Sequence, residues 1–209
     1  MEEIITHIKQ SNRGEVLIFV MSDNISFLKQ QIENFDIYKN EFELLKTDKR
    51  KIEFLNARLA LNRLCERSIK ISYDTEGKPF CKDRSIFISI SHSKELMAVA
   101  IHPTRKTGID IEMISDRILK VRNKFLTENE QNAIGGDNEV LNFLIAWSAK
   151  EALYKIIGKN AVDFKEQLRI FPFENANTGT IKVLHTPANK FYYPEFKIFD
   201  KFVVVYAND

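Results

Sequence analysis

One stretch limits the fold more than any other: NEVLNFLIAWSAKEALYKIIG, from Asn138 to Gly158. Its apolar residues recur at helical spacing over about twenty positions, and the glycine that follows is a natural residue past a helix carboxyl end. On such a helix Trp147, Glu151 and Lys155 stand at i, i+4 and i+8 and share one side, bordered by Lys150 and Tyr154. Ala146, Ala149, Leu153 and Ile156 turn the other way, where small and aliphatic groups pack against a sheet. An amphipathic surface helix with a Glu-to-Lys pair worth about 0.2–0.5 kcal/mol accounts for Glu151 and Lys155. It does not account for an indole on the charged side.

The rest of the chain alternates strands and helices. EEIITHIKQ and EVLIFVM read as a hairpin turning at Ser11 to Gly14. A short helix follows from Ser22 to about Asn34, capped by Asp23 or Asn24, and a longer one starts at Thr47-Asp48. That second helix carries two apolar sets, Ile52/Leu55/Leu59 and Phe54/Leu61/Leu64, interrupted on one flank by Arg58, Asn62 and Arg63. After a turn at Glu76 to Pro79 come three strands, SIFISI, LMAVAI and TGIDIE, with Ser91 to Lys94 as a polar loop between the first two. Ile118 to Phe125 reads as a short helix, and Thr127 with Glu130 forms a capping box for the next, which Gly135-Gly136 stops. The tail gives strands TIKVLHT, YPEFKIF and KFVVVYA, the last two joined at Asp200-Lys201. The pattern is α+β, with a seam near 102–107 and lobes of 1–104 and 105–209.

GIDIE, Gly108 to Glu112, carries the first piece of chemistry. In a strand Ile109 and Ile111 face one way while Asp110 and Glu112 share the other. Two same-face carboxylates repel unless a cation or donor lies between them, and a hard ion such as Mg²⁺ suits oxygen ligands. Acids on the wet face of an edge strand are also commonplace. If the Trp147 helix packs beside this strand, Glu151 supplies a third oxygen ligand and Lys155 neutralises phosphate charge nearby. A carboxylate there can also take a proton from an incoming hydroxyl. The set fits phosphoryl-type transfer or hydrolysis at a diphosphate.

Taken together, SISHS, GIDIE, FLTENE and WSAKEALYK resemble the 4′-phosphopantetheinyl transferases, and the length matches the monomeric, surfactin-synthetase-activating type. The resemblance covers about Gly77 to Lys155. It implies a pseudo-dimer of two similar α/β lobes with coenzyme A and Mg²⁺ in the cleft between them. It implies transfer of the phosphopantetheine arm to a serine of an apo acyl or peptidyl carrier protein, releasing adenosine 3′,5′-bisphosphate. By the same resemblance Asp110, Glu112 and Glu151 are the metal acids, Glu151 is also the base, and Lys155 contacts the diphosphate. Ser91 and His92 match a pair at the coenzyme phosphates, Lys78 of GKPF matches a lysine near the nucleotide, and Lys150 belongs to the motif. Basic residues of the first lobe meet the 3′-phosphate in this family, and Lys49, Arg50 and Arg58 are the candidates.

MISDRILKVRNKFL places Arg117, Lys120, Arg122 and Lys124 among Ile118, Leu119, Val121 and Phe125. This is either a helix with a solvated basic face or a dock for the small acidic bundles that carrier proteins form. The net charge of +2 implies no polyelectrolyte partner. No membrane-length apolar run or leader-type start occurs, and Cys65 and Cys81 suggest neither a disulfide framework nor a metal cluster. His7, His92, His102 and His185 lack zinc-ligand spacing. A cytoplasmic monomer is expected, acting on neither nucleic acid nor membrane. Two rivals stand beside it: a Mg²⁺-dependent nuclease or nucleotide hydrolase, and a non-catalytic binding module that kept the fold.

Overall fold

Helix packing on two sides explains the long segment after Thr47. The computed structural model describes residues 3–158, 162–174 and 176–209; Glu2, at the start of the first expected strand, lies outside them. The chain divides into two compact units, Met1–Arg105 and Lys106–Asp209.

In the N-terminal unit the elements are β1 (Glu3–Lys9), β2 (Glu15–Val20), α1 (Ile25–Gln31), α2 (Lys39–Glu43), α3 (Asp48–Cys65), β3 (Ile71–Tyr73), β4 (Pro79–Cys81), β5 (Phe87–Ser93) and β6 (Leu96–His102). Asn24 caps α1 and Thr47 caps α3 through side-chain oxygens that accept from backbone N–H groups. An antiparallel sheet in the order β1-β2-β6-β5 packs against α3 through Leu17, Phe19, Val99, Ala57 and Leu61. A second cluster, with Leu28, Tyr38, Phe42, Phe54 and Leu55, fills the other side of the same helix. The apolar residues of α3 thus divide between two faces, Phe54, Leu55 and Leu59 on one and Leu61 and Leu64 on the other, a different division from the two expected sets.

That arrangement corrects two expectations. Arg58 is 0% exposed; its guanidinium lies 3.2 Å from the Phe54 ring centroid and pairs with Glu41 at 2.9 Å. It is a core cation held by an aromatic face and a carboxylate, with no surface exposed to meet the coenzyme phosphate expected of it. Ser91, His92 and Ser93 form no loop: pairing runs on through His92↔Met97 and Ser93↔Leu96, leaving only Lys94 and Glu95 to turn, with Lys94 at φ 53°.

The C-terminal unit contains β7 (Thr107–Met113), α4 (Arg117–Val121), α5 (Glu128–Ile134), α6 (Glu139–Ile157), β8 (Leu168–Ile170), β9 (Thr178–Thr180), β10 (Val183–His185), β11 (Lys190–Tyr192), β12 (Glu195–Ile198) and β13 (Phe202–Asn208). Thr127 and Glu130 form the expected capping box of α5. The helix expected at Ile118 to Phe125 is shorter, since Arg122–Lys124 tighten into a 3₁₀ turn. TIKVLHT is not one strand. Thr178–Thr180 pairs with β12 in the sheet β7-β13-β12-β9, whereas Val183–His185 joins β11-β10-β8. Ile181, fully buried, lies at the switch between them. The fold is α+β, and in each unit a long helix covers an antiparallel sheet. Among the described residues no helix is long and apolar enough to cross a membrane.

One contact fixes α6 on β7. A Cβ on Gly108 would lie 2.0 Å from the Ala152 carbonyl oxygen and 3.1 Å from an Ile156 methylene. Strand and helix backbones approach this closely only because position 108 has no side chain and position 152 has a small one. Gly108→Ala is expected to displace the helix and cost about 2–3 kcal/mol, lowering the melting temperature by roughly 5–10 °C in a calorimetric scan.

Candidate active site

Along α6 eleven of nineteen side chains are buried, and Trp147, Glu151, Tyr154 and Lys155 are among the partly open ones. They lie over β7, where Asp110 pairs across the sheet with Val205 and Glu112 with Val203. β7 is an edge strand of that sheet. Ile109 and Ile111 enter the core at 0% and 1% exposure, which leaves Asp110 and Glu112 together on the other face.

Each acid meets a donor from the helix. The Lys155 ammonium donates to Asp110 Oδ1 at 3.1 Å and to the Ile109 carbonyl at 2.6 Å. The Trp147 indole N–H donates to Glu112 Oε1 at 3.2 Å. The indole is further wedged between Phe125 and Phe164, at centroid distances of 5.1 and 5.6 Å. This resolves why a tryptophan shares the charged side: its ring packs like a core residue while its N–H orients an acid.

Burial pushes the Glu151 carboxyl up to about 7; the Asp110 charge and, more weakly, Glu112 add to the shift, and Lys155 opposes it. Asp110, Glu112, Glu151 and Lys155 thus share one face of one helix–strand pair, three carboxylates against one ammonium. Among the described residues no group of three or more His, Cys, Asp or Glu side chains is gathered ready to hold a metal. The donor set is nevertheless of the kind a hard divalent cation takes: oxygen only, anionic in excess, with a protonation cost a cation would relieve.

Lys150 faces elsewhere. It is 0% exposed, and its ammonium donates to the Phe125 carbonyl (2.6 Å), the Phe164 carbonyl (2.8 Å) and Glu130 Oε1 (3.1 Å). Glu130 also accepts from the Thr127 and Ile170 N–H groups. All three ammonium protons are spent inside the unit, so the role Lys150 plays in this structure is internal, in place of the coenzyme contact expected of it. It ties down Phe125 and Phe164, the rings that grip Trp147.

The N-terminal unit holds the remaining candidates. Arg50 and His92 meet on the carboxylate of Glu53, at 3.0 and 3.8 Å. Lys49 is exposed one residue before Arg50. Lys78 follows Gly77 (φ 80°) in the β3–β4 turn, where its N–H donates to Asp74. Ser91, half-buried, pairs across β5–β6 with Ala98. Sequence reasoning passed over Glu53, whose signal was an acid one helical turn after Arg50 inside an apolar run.

An edge-strand acid pair is thus braced by a helix with Trp, Glu and Lys at four-residue spacing. Residues 106–207 match the family profile described as the 4′-phosphopantetheinyl transferase superfamily. The chain is 34% identical over 149 residues to the 4′-phosphopantetheinyl transferase gsp of Aneurinibacillus migulanus, an alignment covering 66% of this chain and 58% of that protein. It is 28% identical over 122 residues to the 4′-phosphopantetheinyl transferase HetI of Nostoc sp., covering 54% and 52%. It therefore spans a little over half the length of these curated relatives.

Glu151→Gln tests the electrostatics without any substrate. Below pH 4.5, the ordinary value, folded and unfolded chains both hold the Glu151 proton; between there and about 7 only the folded chain does. Wild-type stability should therefore fall as pH rises through that window. The metal-free Gln variant should be the more stable protein at pH 8, by at most about 3 kcal/mol, and lose that advantage by pH 4, in urea titrations at the two pH values.

Proposed function

We propose that the chain transfers the 4′-phosphopantetheine arm of coenzyme A to a serine of an apo acyl or peptidyl carrier protein. The single observation that carries this reading is the placement of Asp110, Glu112, Glu151 and Lys155 on one helix–strand face, within the segment that matches the transferase superfamily. The names of the two relatives support it.

In this reading the carrier serine oxygen attacks the phosphorus that bears the pantetheine arm, and the bond to the departing adenosine 3′,5′-bisphosphate breaks. Glu151, with a carboxyl poised near 7, accepts the serine proton. Lys155 compensates charge on the diphosphate, and Trp147 keeps Glu112 oriented through its N–H. Asp110, Glu112 and Glu151 would hold Mg²⁺, which when bound neutralises charge accumulating on the leaving phosphate. Lys78, Ser91, His92, Lys49 and Arg50 are the coenzyme contacts of the N-terminal unit.

The carrier docks on the basic segment after β7. Arg117, Lys120 and Lys124 are exposed while Ile118 and Phe125 anchor the segment in the core; Arg122 is partly spent on Gln131 and the Leu119 carbonyl. An acidic helical bundle complements that surface. The enzyme works as a monomer in the cytoplasm, in fatty-acid, polyketide or nonribosomal-peptide synthesis; both cysteines are free, in keeping with a reducing compartment.

Intact mass spectrometry of an apo carrier protein incubated with coenzyme A and Mg²⁺ tests the proposal. A gain of one phosphopantetheine is expected, abolished by EDTA and cut at least about a hundredfold by Asp110→Ala. Reversing Arg117 and Lys120 to Glu should raise the carrier KM. No mass gain on either an acyl or a peptidyl carrier would refute the activity.

A further inference from the structure

Glu53 stands on α3 and is 9% exposed. One of its oxygens, Oε2, faces two side chains from different elements: Arg50 Nη1, one turn earlier on the helix, donates to it at 3.0 Å, and His92 Nε2, near the end of β5, stands 3.8 Å away. A carboxylate withdrawn this far from water is costly unless it is paired. Phe54 and Leu55 follow it directly into the core, so its place in the helix register turns it inward and holds its partners at the edge.

Those partners remain open on their far sides. The Arg50 side chain is 70% exposed and the His92 side chain 37%. Arg50, a long side chain that would otherwise lose conformational freedom on binding an anion, is already tied at one end, and the His92 ring stands beside the same carboxylate oxygen. Their free N–H groups can serve a ligand without first being ordered. Arg58, the other arginine of this helix, is excluded by its burial against Phe54, and Lys49 has no such brace among the interactions of α3.

We propose that Glu53 is a positioning residue, which holds Arg50 and His92 as one receiving pair for the 3′-phosphate of coenzyme A. The inference rests on the transferase reading for the identity of the ligand. Its own content is that Glu53 acts through its two partners: a single anion on the buried side aligns two donors, and the phosphate takes their outward sides. Glu53 touches no substrate atom.

Calorimetric titration of the full chain with coenzyme A and with 3′-dephospho-coenzyme A decides the matter. The wild type should bind coenzyme A the more tightly, and Glu53→Gln should reduce that preference about tenfold while leaving dephospho-coenzyme A binding nearly unchanged. An Arg50→Gln/His92→Gln double variant should already lack the preference, and adding Glu53→Gln should change nothing more. If Glu53→Gln melts below the assay temperature, the titrations are run at a lower temperature, where the same ratios apply. Equal weakening of both ligands, further loss in the double-variant background, or a wild type that does not distinguish the ligands would each overturn the proposal. Transfer to a carrier is scored separately on the same samples. A protein that shows the predicted ratios yet modifies no carrier would refute the transferase reading and leave Glu53 in this role.

Discussion

The C-terminal unit depends on how closely a strand and a helix can approach. At Gly108 the β7 backbone lies under the Ala152 carbonyl at a distance no side chain would permit. Everything chemical in this unit follows from that approach, because it brings the Glu151 and Lys155 side of α6 over the Asp110 and Glu112 side of β7. Lys155 can then reach both a strand carbonyl and a strand carboxylate. A helix displaced outward by a methyl group would leave the acids on an ordinary wet strand edge.

Around this contact the protein spends buried polar groups on alignment. Lys150 and Glu130 form an internal pair whose remaining bonds fix Phe125, Phe164 and Ile170. Phe125 and Phe164 flank Trp147, and Trp147 orients Glu112. Such a pair adds little net stability compared with apolar packing, but it locates two carbonyls and a helix start relative to α6. The N-terminal unit uses buried charge similarly, with Arg58 locked between Phe54 and Glu41 and Glu53 holding Arg50 and His92.

Much of this was legible in the sequence, and the exceptions have a physical pattern. Caps at Asn24, Thr47 and Thr127 and the glycine after α6 are local rules, satisfied by side chains a few residues away. The faces of GIDIE and of the Trp147 helix could be read because the strand period puts Asp110 with Glu112 and the helix period puts Glu151 with Lys155, while their packing together was a supposition that periodicity alone does not supply. Arg58 and Lys150 were misread for one reason. A basic residue in an apolar helix was credited to a ligand, when an aromatic ring, two carbonyls or a distant acid can satisfy it internally, and periodicity cannot reveal those partners. The split of TIKVLHT between two sheets was hidden likewise, since hydrogen-bond partners of a strand come from elsewhere in the chain.

The central physical claim is that burial, reinforced by the neighbouring Asp110 and Glu112 charges, leaves Glu151 reluctant to ionise and the face in need of a cation. Carbon-detected NMR of the Glu151 carboxyl, titrated with pH before and after addition of Mg²⁺ and coenzyme A, measures it directly. The account predicts a midpoint of about 7 in the metal-free protein and a clear fall when Mg²⁺ is present. A midpoint at the ordinary glutamate value of about 4.5 under both conditions would contradict it.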